Sequence, residues 1–201
     1  MQQHNAKLAT LVASRLCHDL ISPVGAIANG LELLALSGTP LDTPELALVD
    51  DSCRAARARI SLFRVAFGHA EGEQMIGPPE ATRLLRDYCK GGRLSCDWRR
   101  QSAAPRPEVQ LALLAVLCCE SALPLGGQIE VEELNQGWRI TGTGKRIAHD
   151  AALWSLLAHP GKLPALSSAQ VHFPVLAALA EERGRSIEVT AGEAAVTIEI
   201  S

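Results

Sequence analysis

Arg15-Leu16-Cys17-His18-Asp19-Leu20-Ile21-Ser22-Pro23-Val24-Gly25 puts an imidazole beside a carboxylate in the middle of a segment with a helical apolar pattern. Apolar or small residues recur at Ala13, Cys17, Leu20, Val24, Ile27, Leu31 and Leu34. Steps of three and four of this kind make the seam of a helix packed in a bundle. One residue along a helix is a rotation of about 100°, so His18, next to Cys17, is predicted on the flank of the seam. Arg15, Ser22, Gly25 and Asn29 continue its stripe, with Ala26 beside them. Glycine in a helix interior costs about 1 kcal/mol relative to alanine, so Gly25 points to a partner surface that comes close. Pro23 costs more, about 3 kcal/mol, because it removes a helical hydrogen bond and crowds the carbonyl of Asp19.

The first helix is predicted to end at Ser37-Gly38-Thr39-Pro40, where Gly38 suits a left-handed C-terminal position. Thr43-Pro44-Glu45 reads as the next start, with Thr43 as cap and Pro44 in the first turn. A second seam then runs through Leu46, Val49, Cys53, Ala56, Ile60, Phe63 and Phe67. Two helices joined this closely form an antiparallel hairpin, which cannot cover both of its own seams. A second copy of the chain would do so by completing a twofold four-helix bundle, and the remainder of this chain is the other candidate cover.

Glu71 to Pro78 reads as a linker, giving domains at 1–72 and 78–201. Beyond it the periodicity changes. Leu94 to Arg99 is a short strand and Val109 to Ala122 a buried helix. Gly126-Gly127 is a turn, after which Ile129, Val131, Trp138 and Ile140 alternate with polar residues. Val171 to Arg183 is helical, Ile187 and Val189 belong to a strand, and Val196, Ile198 and Ile200 alternate to the end. Together these predict an α+β sandwich, with helices on one face of a mixed sheet.

The composition excludes several classes of function. Among 201 residues, 47% are hydrophobic and only 3% aromatic, so the core is aliphatic and leans helical. A net charge of −3 gives no basic face for nucleic acid. The polar start Met1-Gln2-Gln3-His4-Asn5 lacks the apolar run of a signal peptide, and Leu111 to Cys119 is too short to cross a bilayer. The expectation is a soluble cytoplasmic protein without nucleic-acid or membrane partners. Six cysteines without a C-x-x-C pair suit free thiols in a reducing compartment.

A His-Asp pair on a helix is often only a solvated surface. Here Asp19 can hold the imidazole in one tautomer or accept its proton, leaving the other nitrogen as nucleophile. With a reference pKa of about 6.5, the neutral ring is well populated near neutral pH.

Leu16 to Leu34 resembles the phosphoacceptor box of histidine kinases, with His18, Asp19 and Pro23 in matching places, and more closely that of ChpT-type bacterial histidine phosphotransferases. The second half resembles a kinase ATP-binding domain in outline. Cys118, Cys119 and Glu120 stand where the family's Mg²⁺-holding Asn would be. Ile140-Thr141-Gly142-Thr143-Gly144 lacks the adenine-reading Asp, and Val171-His172-Phe173-Pro174 replaces a glycine-rich lid. Glycine permits the close backbone approach of a phosphate cradle, and Phe-Pro does not.

The resemblance implies a phosphorelay intermediate. His18 would take a phosphoryl group from the receiver domain of a hybrid kinase and pass it to the receiver of a response regulator, with Asp19 orienting or deprotonating it. The chain would bind no nucleotide or metal and need no cofactor of its own, since Mg²⁺ comes with the receiver. Docking would use Arg15, Ser22, Gly25, Ala26 and Asn29, together with Arg57, Arg64 and Phe67 of the second helix. The competing readings are a non-enzymatic dimeric scaffold for receivers and an ATP-dependent histidine kinase.

Overall fold

A computed structural model describes residues 2–37, 44–70, 73–135, 137–158 and 166–201. Two helices, α1 (Gln2–Ser37) and α2 (Pro44–Ala66), form the N-terminal hairpin, with Pro23 inside α1. The Gly38 stop and the Thr43 cap lie outside the described residues.

The inward seam of α1 keeps Leu20, Ile27 and Leu34 of the predicted pattern, but at its other positions it runs one residue earlier. Leu16, Leu20, Pro23, Ile27, Gly30 and Leu34 are wholly or partly buried, while Ala13, Cys17, Val24 and Leu31 are exposed. Both sets repeat in threes and fours, so α1 has two apolar faces and the period cannot say which meets α2. The outer face includes Ile21, 70% exposed, with Val24 and Leu31 both above half. On α2, Val49, Ala56 and Phe63 are buried and Leu46, Cys53 and Phe67 partly so, but Ile60 faces outward.

Lys7–Leu34 is long and apolar enough to cross a membrane, at 28 residues and a mean hydropathy of 1.2. It exceeds the Leu111–Cys119 run on which the sequence expectation rested. It also carries Arg15 and Asp19 as an ion pair at 2.6 Å, and such pairs are rare on a lipid-facing segment.

After the hairpin come β1 (Met75–Ile76), α3 (Pro78–Cys89), β2 (Leu94–Trp98), β3 (Ala104–Pro105) and α4 (Arg106–Ser121). Then follow β4 (Gly127–Leu134), β5 (Gly137–Thr143), α5 (Ala151–Ala158), α6 (His172–Glu182), β6 (Ile187–Ala191) and β7 (Ala195–Ile200). The main sheet has the order β2-β4-β5-β7-β6, parallel between β2 and β4 and antiparallel elsewhere. β1 and β3 make a separate two-stranded ribbon. The mixed sheet and its helices match the expected sandwich. The turn into β4 needs glycine: Gly126 has φ +82°, and a Cβ there would lie 2.2 Å from the Arg93 carbonyl oxygen.

Helix α4 is buried on every side from Val109 to Cys119, packed against the sheet, α6 and α2. One apolar core runs through both halves of the chain, joining Leu62, Phe63, Val65 and Ala66 of α2 to α4 and the strands. Polar contacts fix the same joint. The last carbonyls of a helix have no partner within it, and here Gln110 Nε2 donates to the carbonyls of Ala66 at 3.2 Å and Gly68 at 2.8 Å. Arg106 donates to the carbonyl of Arg64 at 3.0 Å. All six cysteines are free, with the Sγ atoms of Cys89 and Cys96 3.1 Å apart.

Candidate functional site

His18 stands on the outer side of α1 with its side chain 78% exposed, while the adjacent Asp19 is only 14% exposed. His18 Nδ1 lies 3.0 Å from Asp19 Oδ1. An ionised carboxylate only accepts hydrogen bonds, so this contact makes Nδ1 the donor, and in the neutral ring Nε2 keeps its lone pair. The exposed ring therefore offers one nucleophilic nitrogen. Asp19 uses its other oxygen, Oδ2, to accept from Arg15 Nε at 2.6 Å.

Ser22, Gly25 and Asn29 share the open face of α1 with His18. A Cβ built on Gly25 would meet nothing within 4 Å, so no packing inside this chain demands glycine there. Ser22, Pro23 and the half-buried Ala26 form one wall of a groove of about 710 Å³. Its other walls come from α2, with Asp51, Arg54, Arg57 and Arg59, and from α3, with Arg83 and Asp87; Lys90 follows at the end of α3. Cations outnumber carboxylates along this lining, so the groove favours an acidic partner surface.

Three residues predicted for docking lie elsewhere. Arg15 is only 16% exposed. It turns inward because its guanidinium also donates to the carbonyl of Ala169 in the second half at 2.7 Å. Phe67, just past the end of α2, packs edge-to-face on Phe63 with centroids 5.6 Å apart and is partly buried against the core. Arg64 is exposed but outside the groove, and its carbonyl takes the Arg106 bond.

The groove residues Arg83 and Lys90 were missed by sequence reasoning because α3 was missed, and Arg59 was missed although it lies on the predicted second helix. Pro78-Pro79-Glu80 was its available signal, since proline and an acid favour the first helical turn.

In the second half, the residues at the places of the kinase nucleotide boxes make internal contacts. Tyr88 donates to Glu120 Oε2 at 2.9 Å. Burial pushes the Glu120 carboxyl above its usual range, an effect opposed by the Tyr88 bond and the Arg15 charge. Cys118 and Cys119 are fully buried. Burial raises both thiols, Cys119 to about 12. A Cβ on Gly142 would sit 3.2 Å from Cys119 Cβ, so this glycine serves close packing against α4. Phe173 is buried against Trp154 at 5.1 Å and His172 at 4.8 Å. His172 is buried with both ring nitrogens unpartnered, and burial, aided by the Arg15 charge, lowers its pKa to about 3. Among the described residues no group of three or more His, Cys, Asp or Glu side chains gathers as a metal site.

Comparison with known proteins places this geometry. Residues 78–195 match the family model of the histidine phosphotransferase C-terminal domain. Over 194 residues the chain is 34% identical to the protein phosphotransferase ChpT of Brucella abortus (strain 2308), covering 92% of this chain and 90% of that protein. A solved structure described as a bacterial phosphotransferase superposes with a TM-score of 0.78 at 32% identity, over 98% of this chain and 96% of that one.

Proposed function

As this chain belongs to the histidine phosphotransferase family and is a protein-histidine phosphotransferase of a phosphorelay, we propose that His18 is the residue that carries the phosphoryl group. The observation behind this is the exposed imidazole whose Nδ1 is held by Asp19, leaving Nε2 free. The donor is an aspartyl-phosphate on the receiver domain of a hybrid kinase, and the acceptor is an aspartate on the receiver of a response regulator. Nε2 attacks phosphorus in line, the N–P bond forms, and the bond to the receiver's carboxylate oxygen breaks. The ring becomes cationic as its lone pair is used, and the Asp19 carboxylate stabilises that charge through the Nδ1 proton. The second transfer reverses these steps. Positioning supplies most of the catalysis.

Mg²⁺ arrives with the receiver, so the chain needs no metal of its own. The same reading includes no nucleotide, which is supported by Glu120, the buried cysteines and the buried His172–Phe173 pair standing in place of the family's nucleotide boxes. Ser22, Gly25, Asn29 and Ala26, with Arg57 across the groove, form the receiver's landing surface.

The working unit is a homodimer. Ile21, Val24 and Leu31 on α1 and Ile60 on α2 leave an apolar face at helical spacing that nothing among the described residues covers. A second hairpin buries it as a four-helix bundle. Free cysteines throughout suit the cytoplasm.

The decisive assay supplies labelled ATP alone, then a labelled phospho-receiver, to the wild type and to His18→Ala. The expected result is label from the receiver only, abolished by His18→Ala. Label from ATP alone would establish a kinase, and no label from either source would leave a receiver-binding scaffold.

A further inference from the structure

Arg15 links the second half of the chain to the His18 site by hydrogen bonds on both sides. Asp19 divides its two oxygens, Oδ1 to His18 Nδ1 at 3.0 Å and Oδ2 to Arg15 Nε at 2.6 Å. Another arm of the same guanidinium donates to the Ala169 carbonyl at 2.7 Å. That carbonyl belongs to the 3₁₀ turn Ser168–Gln170, which precedes α6. The turn is itself pinned, because Gln170 Oε1 accepts from the Ser167 backbone N–H and hydroxyl, each at 3.2 Å. Four groups on two parts of the fold thus form one continuous line ending at the imidazole.

A long side chain such as arginine gives up much rotamer freedom when fixed, and one i,i+4 partner holds only one edge of its guanidinium. Bonding to Asp19 alone would therefore leave Arg15 less constrained, and with it the carboxylate. The Ala169 carbonyl supplies the missing constraint. The part-buried Tyr88–Glu120 pair lies on the same side, near enough for the Arg15 charge to be felt at Glu120, at Tyr88 and at the buried His172. None of these contacts needs an exposed surface, and Arg15 offers a docking partner almost nothing.

We propose that Arg15 is a positioning residue for His18, and that the second half of the chain serves phosphoryl transfer by holding Arg15, which fixes Asp19 and so the imidazole tautomer and ring orientation. This rests on the reading of His18 as phosphoacceptor. It gives the nucleotide-like fold a task that requires no nucleotide.

The test uses the full chain with a purified phosphorylated receiver, comparing wild type, Arg15→Ala and Arg15→Lys. Misplacing a reacting group by about 1 Å costs on the order of 100-fold. Arg15→Ala should accordingly lower the rate at saturating receiver by about 10- to 100-fold, with the half-saturating receiver concentration unchanged. Arg15→Lys keeps the charge but loses the planar fork, and should recover part of the loss. In parallel, nitrogen-15 NMR of the unphosphorylated protein should give a single Nδ1–H tautomer for His18 in the wild type and a mixture in Arg15→Ala.

An unchanged saturated rate with an unchanged tautomer overturns the proposal. So does a loss confined to the half-saturating concentration, which would make Arg15 a docking residue. If Arg15→Ala does not fold, Arg15→Lys carries the test, and a wild-type rate and tautomer in that variant overturn it. A wild type that takes no label from the receiver would sink the phosphoacceptor reading, while the tautomer comparison would still decide whether Arg15 sets the ring.

Discussion

Tyr88 donates its phenolic proton to the Glu120 carboxylate across 2.9 Å, tying α3 to the C-terminal end of α4. Burial raises the Glu120 pKa above the ordinary carboxylate value. An acid whose pKa is raised by folding contributes stability that is full below its unfolded pKa, about 4.3, and that declines as pH rises toward the folded value. As pH rises from about 4.3, urea unfolding should show the wild type losing stability relative to Glu120→Gln. Parallel curves for the two proteins would mean that Glu120 ionises as freely in the fold as outside it.

His172 works in the opposite direction. Its pKa falls from 6.5 to about 3 because the imidazole is buried, so the folded state excludes a proton that the unfolded chain binds. The stability this contributes is complete above about pH 6.5 and is lost as pH falls toward 3. By pH 4 the loss is about 3 kcal/mol, at roughly 1.4 kcal/mol per pH unit. His172→Leu should flatten this acid limb, measured as the unfolding midpoint at successive pH values. An acid limb as steep as the wild type's would assign the loss to other groups.

Gly25 separates stability from docking. A methyl group there meets nothing within 4 Å, and alanine is favoured over glycine in a helix interior by about 1 kcal/mol. Gly25→Ala should raise thermal stability, while slowing transfer from a phosphorylated receiver through a higher half-saturating concentration. Higher stability with transfer unaffected would remove Gly25 from the landing surface.

The outer apolar face of the hairpin predicts self-association. Val24→Glu with Leu31→Glu places two charges on that face, where both native side chains are more than half exposed. Burying an unpaired charge costs several kcal/mol, so sedimentation equilibrium should show dimer affinity falling by at least about 100-fold with helical content retained. A wild type that sediments as a monomer would refute the dimer outright.

The sequence was legible where one pattern had one explanation. The alternation at Ile129–Val131 and Val196–Ile200 fell in β4 and β7, and the buried run at Val109–Ala122 in α4. His18 was placed on an open flank, and it is open. The seam of α1 was read correctly at Leu20, Ile27 and Leu34 but one residue late at Cys17, Val24 and Leu31, because Leu16, Pro23 and Gly30 continue the same spacing and only tertiary contact distinguishes them. Helix α3 was missed because its three buried residues, Ala81, Leu84 and Leu85, are sparse among charges. Helix α5 was missed because its apolar run is only eight residues long. Arg15 was assigned to docking because its stripe looked polar, and nothing local in the sequence indicates a carbonyl 154 residues away.

Helix α4 has no side facing water between Val109 and Cys119, and the cover on one of its sides is α2. A helix enclosed in this way cannot keep its packing once any layer around it opens. Loss of the hairpin would also strip Gln110 of its two carbonyl partners. The boundary between the two architectural halves is therefore not a boundary in cooperativity. A calorimetric scan of the chain should give one endotherm rather than two, with the phosphoacceptor helix and the sheet melting as a single unit.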